Sequence, residues 1–285
     1  MFRIFGPPGT GKTTTLLNMV DDALEKGTPP MRIAFLAFTR KAATEAKDRA
    51  AARFNLDPKK DLVYFRTLHS LALTLSDIRP EQIMQPENYR ELGERIGIQL
   101  TSGNKTDADD VLDVTTKHDP VIGLINLARI KKTSLREEYN NSTLEEDWNT
   151  VNFVDKSLTA YKEAHKLYDF TDMLQNFIDS GHKYCPPFDL CFLDEAQDLS
   201  DMQWDIADLI EKKSTRMYCA GDDDQAIYRW AGANVARFIH LDGPSETLSQ
   251  SYRIPYSVHR VAERISRRIQ GRYPKKYEPK QELGK

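Results

Sequence analysis

Hydrophobic residues fall along this chain in short continuous runs separated by stretches with helical spacing. Phe2 to Phe5 is a short apolar run ending at Gly6, and Thr13 to Leu24 follows at helical spacing, which predicts strand, loop and helix. Ile33 to Phe38 reads as a second buried strand, and the alanine-rich segment Arg40 to Phe54 as an amphipathic helix. Leu62 to Phe65 is expected to form a third strand, followed by a helix through Leu71. From Asp77 to about Tyr161 the texture changes. Helix-like pieces (Tyr89 to Ile96, Val121 to Ile130) alternate with polar breaks such as Thr101 to Thr106, and no strand pattern is evident. Strand-like runs resume at Leu190 to Leu193 and Arg216 to Ala220, with a helix from Met202 to Lys212 between them, and another helix is expected from Tyr256 to Ile269. Strands alternating with helices predict a parallel, doubly wound α/β sheet interrupted by a helical insertion.

Length and composition narrow the class. At 285 residues the chain is long enough for about two domains. Hydrophobic residues at 40% and charged residues at 29% fit a globular protein rather than a disordered one. No run reaches the ~18 apolar residues of a membrane span, and Met1 to Gly6 lacks a signal-peptide plan. Cys185, Cys191 and Cys219 have neither disulfide-framework nor metal-ligand spacing, so a reduced, cytoplasmic protein is expected. The net charge of −3 conceals two basic stretches. Residues 37–60 carry +4 and residues 253–285 carry +7, on an otherwise acidic body. Solvated helix faces produce such runs too, but a polyanion surface is the more specific expectation.

The chemistry starts at Gly6-Pro7-Pro8-Gly9-Thr10-Gly11-Lys12-Thr13, a P-loop placed between a strand and a helix. Glycines let backbone amides turn toward a phosphate, and the helix N-terminus adds positive potential. Lys12 is expected to reach the β- and γ-phosphates of a nucleotide, and the Thr13 hydroxyl to bind Mg²⁺. Leu190-Cys-Phe-Leu-Asp194-Glu195 supplies the second half. A strand ending in Asp194 places a carboxylate where it can hold Mg²⁺, and Glu195 beside it can act as general base on the attacking water.

These motifs belong to a longer series. Ala37-Phe-Thr-Arg-Lys-Ala-Ala43, Arg66-Thr-Leu-His69-Ser-Leu-Ala72 and Asp169-Phe-Thr-Asp-Met-Leu174 occur in order with the P-loop. Asp194-Glu-Ala-Gln-Asp198, Ala220-Gly-Asp-Asp-Asp-Gln225-Ala-Ile-Tyr-Arg-Trp230 and Leu248-Ser-Gln-Ser-Tyr252-Arg253 complete them. The chain thereby resembles the UvrD/Rep-type superfamily 1 DNA helicases, over nearly its whole length except the helical insertion. The resemblance implies a RecA-like P-loop NTPase fold with an inserted helical subdomain. A first RecA-like domain would span residues 1–75 and 162–245, the insertion 76–161, and the start of a second RecA-like domain 246–285. It further implies that Gln225 senses the γ-phosphate, that Arg253 is an arginine finger, and that Tyr252 stacks on adenine, with Thr14 also at the nucleotide. Phe38, Tyr228 and Trp230 would stack on bases, and Thr39, Arg40 and His69 would follow the phosphate track. The implied function is an ATP-dependent 3′→5′ helicase or translocase on single-stranded DNA or a 3′-tailed duplex.

The pattern departs from the family in four places. No adenine-reading glutamine precedes the P-loop, Thr14 stands where an arginine is common, and Ala231 stands where motif III often has a second arginine. Motifs V and VI are absent before Lys285, so a truncated second domain and weak hydrolysis by the chain on its own are expected. The competing expectation is a non-motor, ATP-dependent single-stranded-DNA-binding module. A P-loop kinase or GTPase fits less well, because no guanine-reading motif is evident and Asp223-Asp-Gln225 has no place there.

Overall fold

The computed structural model describes residues 1–100 and 119–284; the polar break at 101–106 lies outside the described residues. Six strands form one parallel sheet in the order β3–β2–β4–β5–β1–β6. They are β1 (Phe2–Phe5), β2 (Ile33–Ala37), β3 (Phe65–Thr67), β4 (Phe188–Leu193), β5 (Ser214–Gly221) and β6 (Ser245–Thr247). β2 is buried at every position, as a strand covered on both faces must be. Helices α1 (Lys12–Glu25) and α2 (Arg40–Phe54) bury Leu16, Leu17, Val20, Ala43, Ala46 and Ala50 in the same core as Ile33, Phe35 and Phe192. All strands run the same way, so Phe5, Ala37, Leu193 and Gly221 end at one edge of the sheet. That edge is where ligands bind in open α/β sheets.

The chain divides into two compact units. The first comprises residues 1–67, 186–199 and 210–285 and holds the sheet. It also holds a two-stranded parallel ribbon of β7 (Gln250–Pro255) and β8 (Glu278–Lys280). The second comprises residues 68–185 and 200–209. Its core gathers Tyr89, Leu92, Ile122, Ile125, Val154 and Leu158 from the helices Pro86–Ile96, Pro120–Ile130 and Trp148–His165. Beside that core Arg129 and Lys162 both pair with the buried Asp169 and with Asp172. The helices Leu68–Thr74 and Phe170–Asp179, which the sequence reading assigns to the first RecA-like domain, cluster in this second unit.

Three expectations need correction. The third strand is Phe65–Thr67, because Leu62 sits in a turn whose carbonyl accepts from Phe65 N–H, and its fully buried side chain plugs the core. The helix after it runs to Thr74, beyond Leu71. The helix from Tyr256 stops at Ser266, short of Ile269.

Candidate functional site

The P-loop leaves β1 and enters α1. Gly6 N–H donates to the Gly221 carbonyl at 3.0 Å, anchoring the loop to the end of β5. Thr10 closes it, its hydroxyl and amide donating to the Pro7 carbonyl at 2.7 and 3.2 Å. Gly9 and Gly11 have φ of +73° and +82°, which residues with a Cβ seldom adopt. Gly11 is the N-cap of α1 and brings no capping side chain, so the first-turn amides have no internal competitor for an anion. A Cβ on Gly6 would overlap the stem of Lys12. Glycine there lets Lys12 fold over the loop, where its Nζ donates to the Gly6 carbonyl at 3.0 Å.

The end of β4 faces this loop. Thr13 Oγ1 donates to Asp194 Oδ2 at 2.7 Å, and Lys12 Nζ lies 3.9 Å from Glu195 Oε2. Asp194 is buried; burial, reinforced by the charge of Glu195, pushes its carboxyl up to about 6. Glu195 takes a left-handed φ of +54°, turning the chain sharply out of the strand. Lys12, Thr13, Asp194 and Glu195 are thus brought together, as their spacing implies.

Gln197 was not singled out in the sequence, and its position is central. Its side-chain amide donates at 2.9 Å to Glu195 Oε2 and to Asp198 Oδ2, while its Oε1 accepts from the Asp222 amide at 2.9 Å. Burial, with the Glu195 charge, pushes Asp198 up to about 7. Gln225 donates from its side-chain amide to Asp222. A continuous chain of bonds therefore links Gln225 to Glu195 through Asp222 and Gln197. The one signal available beforehand was a polar amide two residues beyond the Asp194-Glu195 pair.

Tyr252 and Arg253 reach the P-loop from β7. Tyr252 N–H donates to the Gly9 carbonyl at 2.9 Å, and Ser251 Oγ to the Pro8 carbonyl at 2.7 Å. Tyr252 and Arg253, with Gly9, Thr10, Gly11 and Thr14, line a cavity of about 770 Å³, the size of a small-molecule site. Tyr252 is 76% exposed, leaving its ring available.

The other proposed contacts are more dispersed. Phe38 is buried, with its ring stacked on Tyr228 at 5.7 Å, and Tyr228 leans on Trp230 at 6.5 Å. Trp230 is 57% exposed and is the most open of the three rings. Thr39 caps α2, its hydroxyl accepting from the Ala42 amide, and Arg40 beside it is exposed. His69 belongs to the second unit, where burial pushes its imidazole down to about 4. It is neutral at pH 7 and brings no positive charge to a phosphate.

A family model described as the UvrD/REP helicase N-terminal domain matches residues 2–244. The chain belongs to that family. It is 28% identical to the ATP-dependent DNA helicase PcrA of Leuconostoc citreum, over 96% of this chain and 38% of that helicase. It is 27% identical to the putative ATP-dependent DNA helicase YjcD of Bacillus subtilis, over 79% of this chain and 30% of YjcD. It is 25% identical to the ATP-dependent DNA helicase Rep of Buchnera aphidicola, over 99% of this chain and 44% of Rep. The chain spans less than half the length of these relatives. The UvrD/REP match contains the P-loop, Asp194, Glu195 and Gln225, whereas Tyr252 and Arg253 lie beyond residue 244. Among the described residues no helix is long and apolar enough to cross a membrane.

Proposed function

We propose that this chain is the nucleotide-hydrolysing part of an ATP-dependent DNA helicase or translocase, cytoplasmic, moving 3′→5′ on single-stranded DNA or a 3′-tailed duplex. Residues 1–75 and 162–245 form its first motor domain, 76–161 a helical insertion, and 246–285 the start of the second. The observation that carries the reading is the Thr13–Asp194 bond at 2.7 Å beside Lys12 and Glu195, next to a cavity bordered by Arg253.

The residues fit a magnesium nucleotide. Thr13 and the dry carboxylate of Asp194 provide hard oxygen donors. The first-turn amides of α1 and Lys12 take the phosphates, Lys12 exchanging the Gly6 carbonyl for the γ-phosphate. Magnesium, when bound, neutralises charge on the phosphate oxygens. Glu195 accepts a proton from the water that attacks the γ-phosphorus, as the bond to the β-phosphate oxygen breaks and ADP departs. Arg253 offsets the charge that develops on the transferred group, Gln225 contacts the γ-phosphate, and Tyr252 stacks on the adenine. Trp230 stacks on a base of the DNA, with Phe38 and Tyr228 supporting it and Thr39 and Arg40 along the phosphates.

ATP hydrolysis by the chain and by its Lys12→Ala variant, with and without single-stranded DNA, tests the reading. Slow turnover that Lys12→Ala abolishes supports it. Unchanged hydrolysis in Lys12→Ala refutes the nucleotide site. DNA and nucleotide binding without any turnover indicates the non-motor module instead.

A further inference from the structure

Three consecutive carboxylates, Asp222, Asp223 and Asp224, follow β5, and the first two are buried. Like charges so close and so dry require a counter-charge. The chain brings it from the segment 272–275. Lys275 Nζ lies 3.0 Å from Asp222 Oδ1 and 3.0 Å from Asp224 Oδ2, and it donates to Asp223. Its side chain is 1% exposed. Burial alone would lower the pKa of the ammonium; the three carboxylates reverse that and raise it. Around it, Arg272 grips Asp224 with two hydrogen bonds, and Tyr273 N–H donates to Asp223 Oδ2 at 2.7 Å. The Tyr273 ring stacks on Phe5 at 3.7 Å, directly before the P-loop. Two groups that the sequence counts in a basic stretch are therefore committed inside the protein.

Asp222 uses both carboxylate oxygens, and its Oδ1 also accepts from the Asp224 amide at 3.3 Å. Oδ1 faces Lys275, and Oδ2 accepts from the Gln225 amide. We propose that Lys275 is a positioning residue for Gln225: it holds the Asp222 carboxylate in place, so that one N–H of the Gln225 amide is held and the other is presented to the terminal phosphate of a nucleotide. The proposal rests on the γ-phosphate role given to Gln225 above. It makes nucleotide discrimination depend on a lysine fifty residues away in sequence, with no contact to the nucleotide required.

Calorimetric titration of the 285-residue chain with Mg·ATPγS and Mg·ADP tests this. Lys275→Met should weaken Mg·ATPγS roughly tenfold, the loss of one hydrogen bond to a charged group, and Mg·ADP by less than about twofold. Adding Gln225→Ala to Lys275→Met should change little more, since the two act through one contact. Lys275→Arg should recover most of the discrimination. Equal weakening for both nucleotides, full additivity, or intact discrimination in a folded Lys275→Met overturns the proposal and leaves Lys275 a clamp. If Gln225→Ala alone spares the preference for Mg·ATPγS, the role of Gln225 itself fails. Should Lys275→Met not fold, Asp223→Asn combined with Lys275→Gln removes a carboxylate together with the ammonium. The same selective loss is expected there, and retained discrimination refutes the proposal.

Discussion

Gly9→Ala tests whether β7 rests on the P-loop, and Gly27→Ala is its internal control. Both glycines have left-handed φ, +73° and +86°. An alanine in either therefore carries a backbone penalty of about 1–2 kcal/mol. Around Gly27 a new Cβ meets nothing within 4 Å. At Gly9 it would overlap the Arg253 Cβ, stand 2.9 Å from Ser251 Oγ and 3.1 Å from the Arg253 backbone nitrogen. Overpacking of this kind adds roughly 1–3 kcal/mol. Gly9→Ala should thus melt below Gly27→Ala, by ~2–4 °C for each of those kilocalories. The strain is relieved if β7 backs away, which breaks the Tyr252–Gly9 and Ser251–Pro8 bonds and withdraws Arg253. The arginine-finger role proposed for Arg253 would be worth ~10³–10⁵ in rate, so under that proposal even partial withdrawal should lower ATP turnover at least tenfold, whereas Gly27→Ala keeps the parent rate. Thermal melts and turnover measurements on the two variants decide the matter. Equal melting temperatures and equal turnover would show that β7 does not lean on the loop.

Glu195→Gln should retain Mg·ATP binding while losing turnover, because the amide cannot take the proton of the attacking water; equal loss of both in titration and turnover assays would make Glu195 a structural residue. Trp230→Ala should weaken single-stranded DNA binding by ~1–3 kcal/mol with little change in salt slope, measured by fluorescence titration at several salt concentrations. A changed slope with unchanged affinity at low salt would argue against stacking. Burial tends to raise the pKa of Asp169, yet Arg129 and Lys162 override it and hold the carboxyl well below the usual carboxylate range. That stability is present above the unfolded value near ~4 and is lost as pH falls toward the depressed folded value. Lys162 still pairs with Asp169 in Arg129→Met, so the variant should destabilise the second unit by ~1.5–3 kcal/mol at neutral pH and reduce its loss of stability below pH ~4. Urea unfolding at several pH values checks this, and a variant with the parent's pH slope would contradict it.

Elements with a local signal were legible in the chain before it was folded. Predominantly apolar runs marked β1, β2, β4 and β5, because strands of a parallel sheet are buried on both faces over most of their length. The P-loop and the Asp194-Glu195 pair were legible because phosphate and metal chemistry demand particular residues at fixed spacing. Signals that depend on partners remote in sequence were not legible. Ser245–Thr247 is a polar segment that becomes β6 only by pairing with β1, and Leu62 looked like strand although it is a core plug in a turn. The burial that pushes the His69 imidazole down to about 4 could not be read from its motif. Gln197 gains its place from the Asp222 amide across the sheet edge, and Lys275 from three carboxylates reached only when the chain folds back. Periodicity reports which face of an element is dry. Only tertiary structure decides which charges share that dry space, because the interaction depends on distance and local dielectric, and separation along the chain encodes neither.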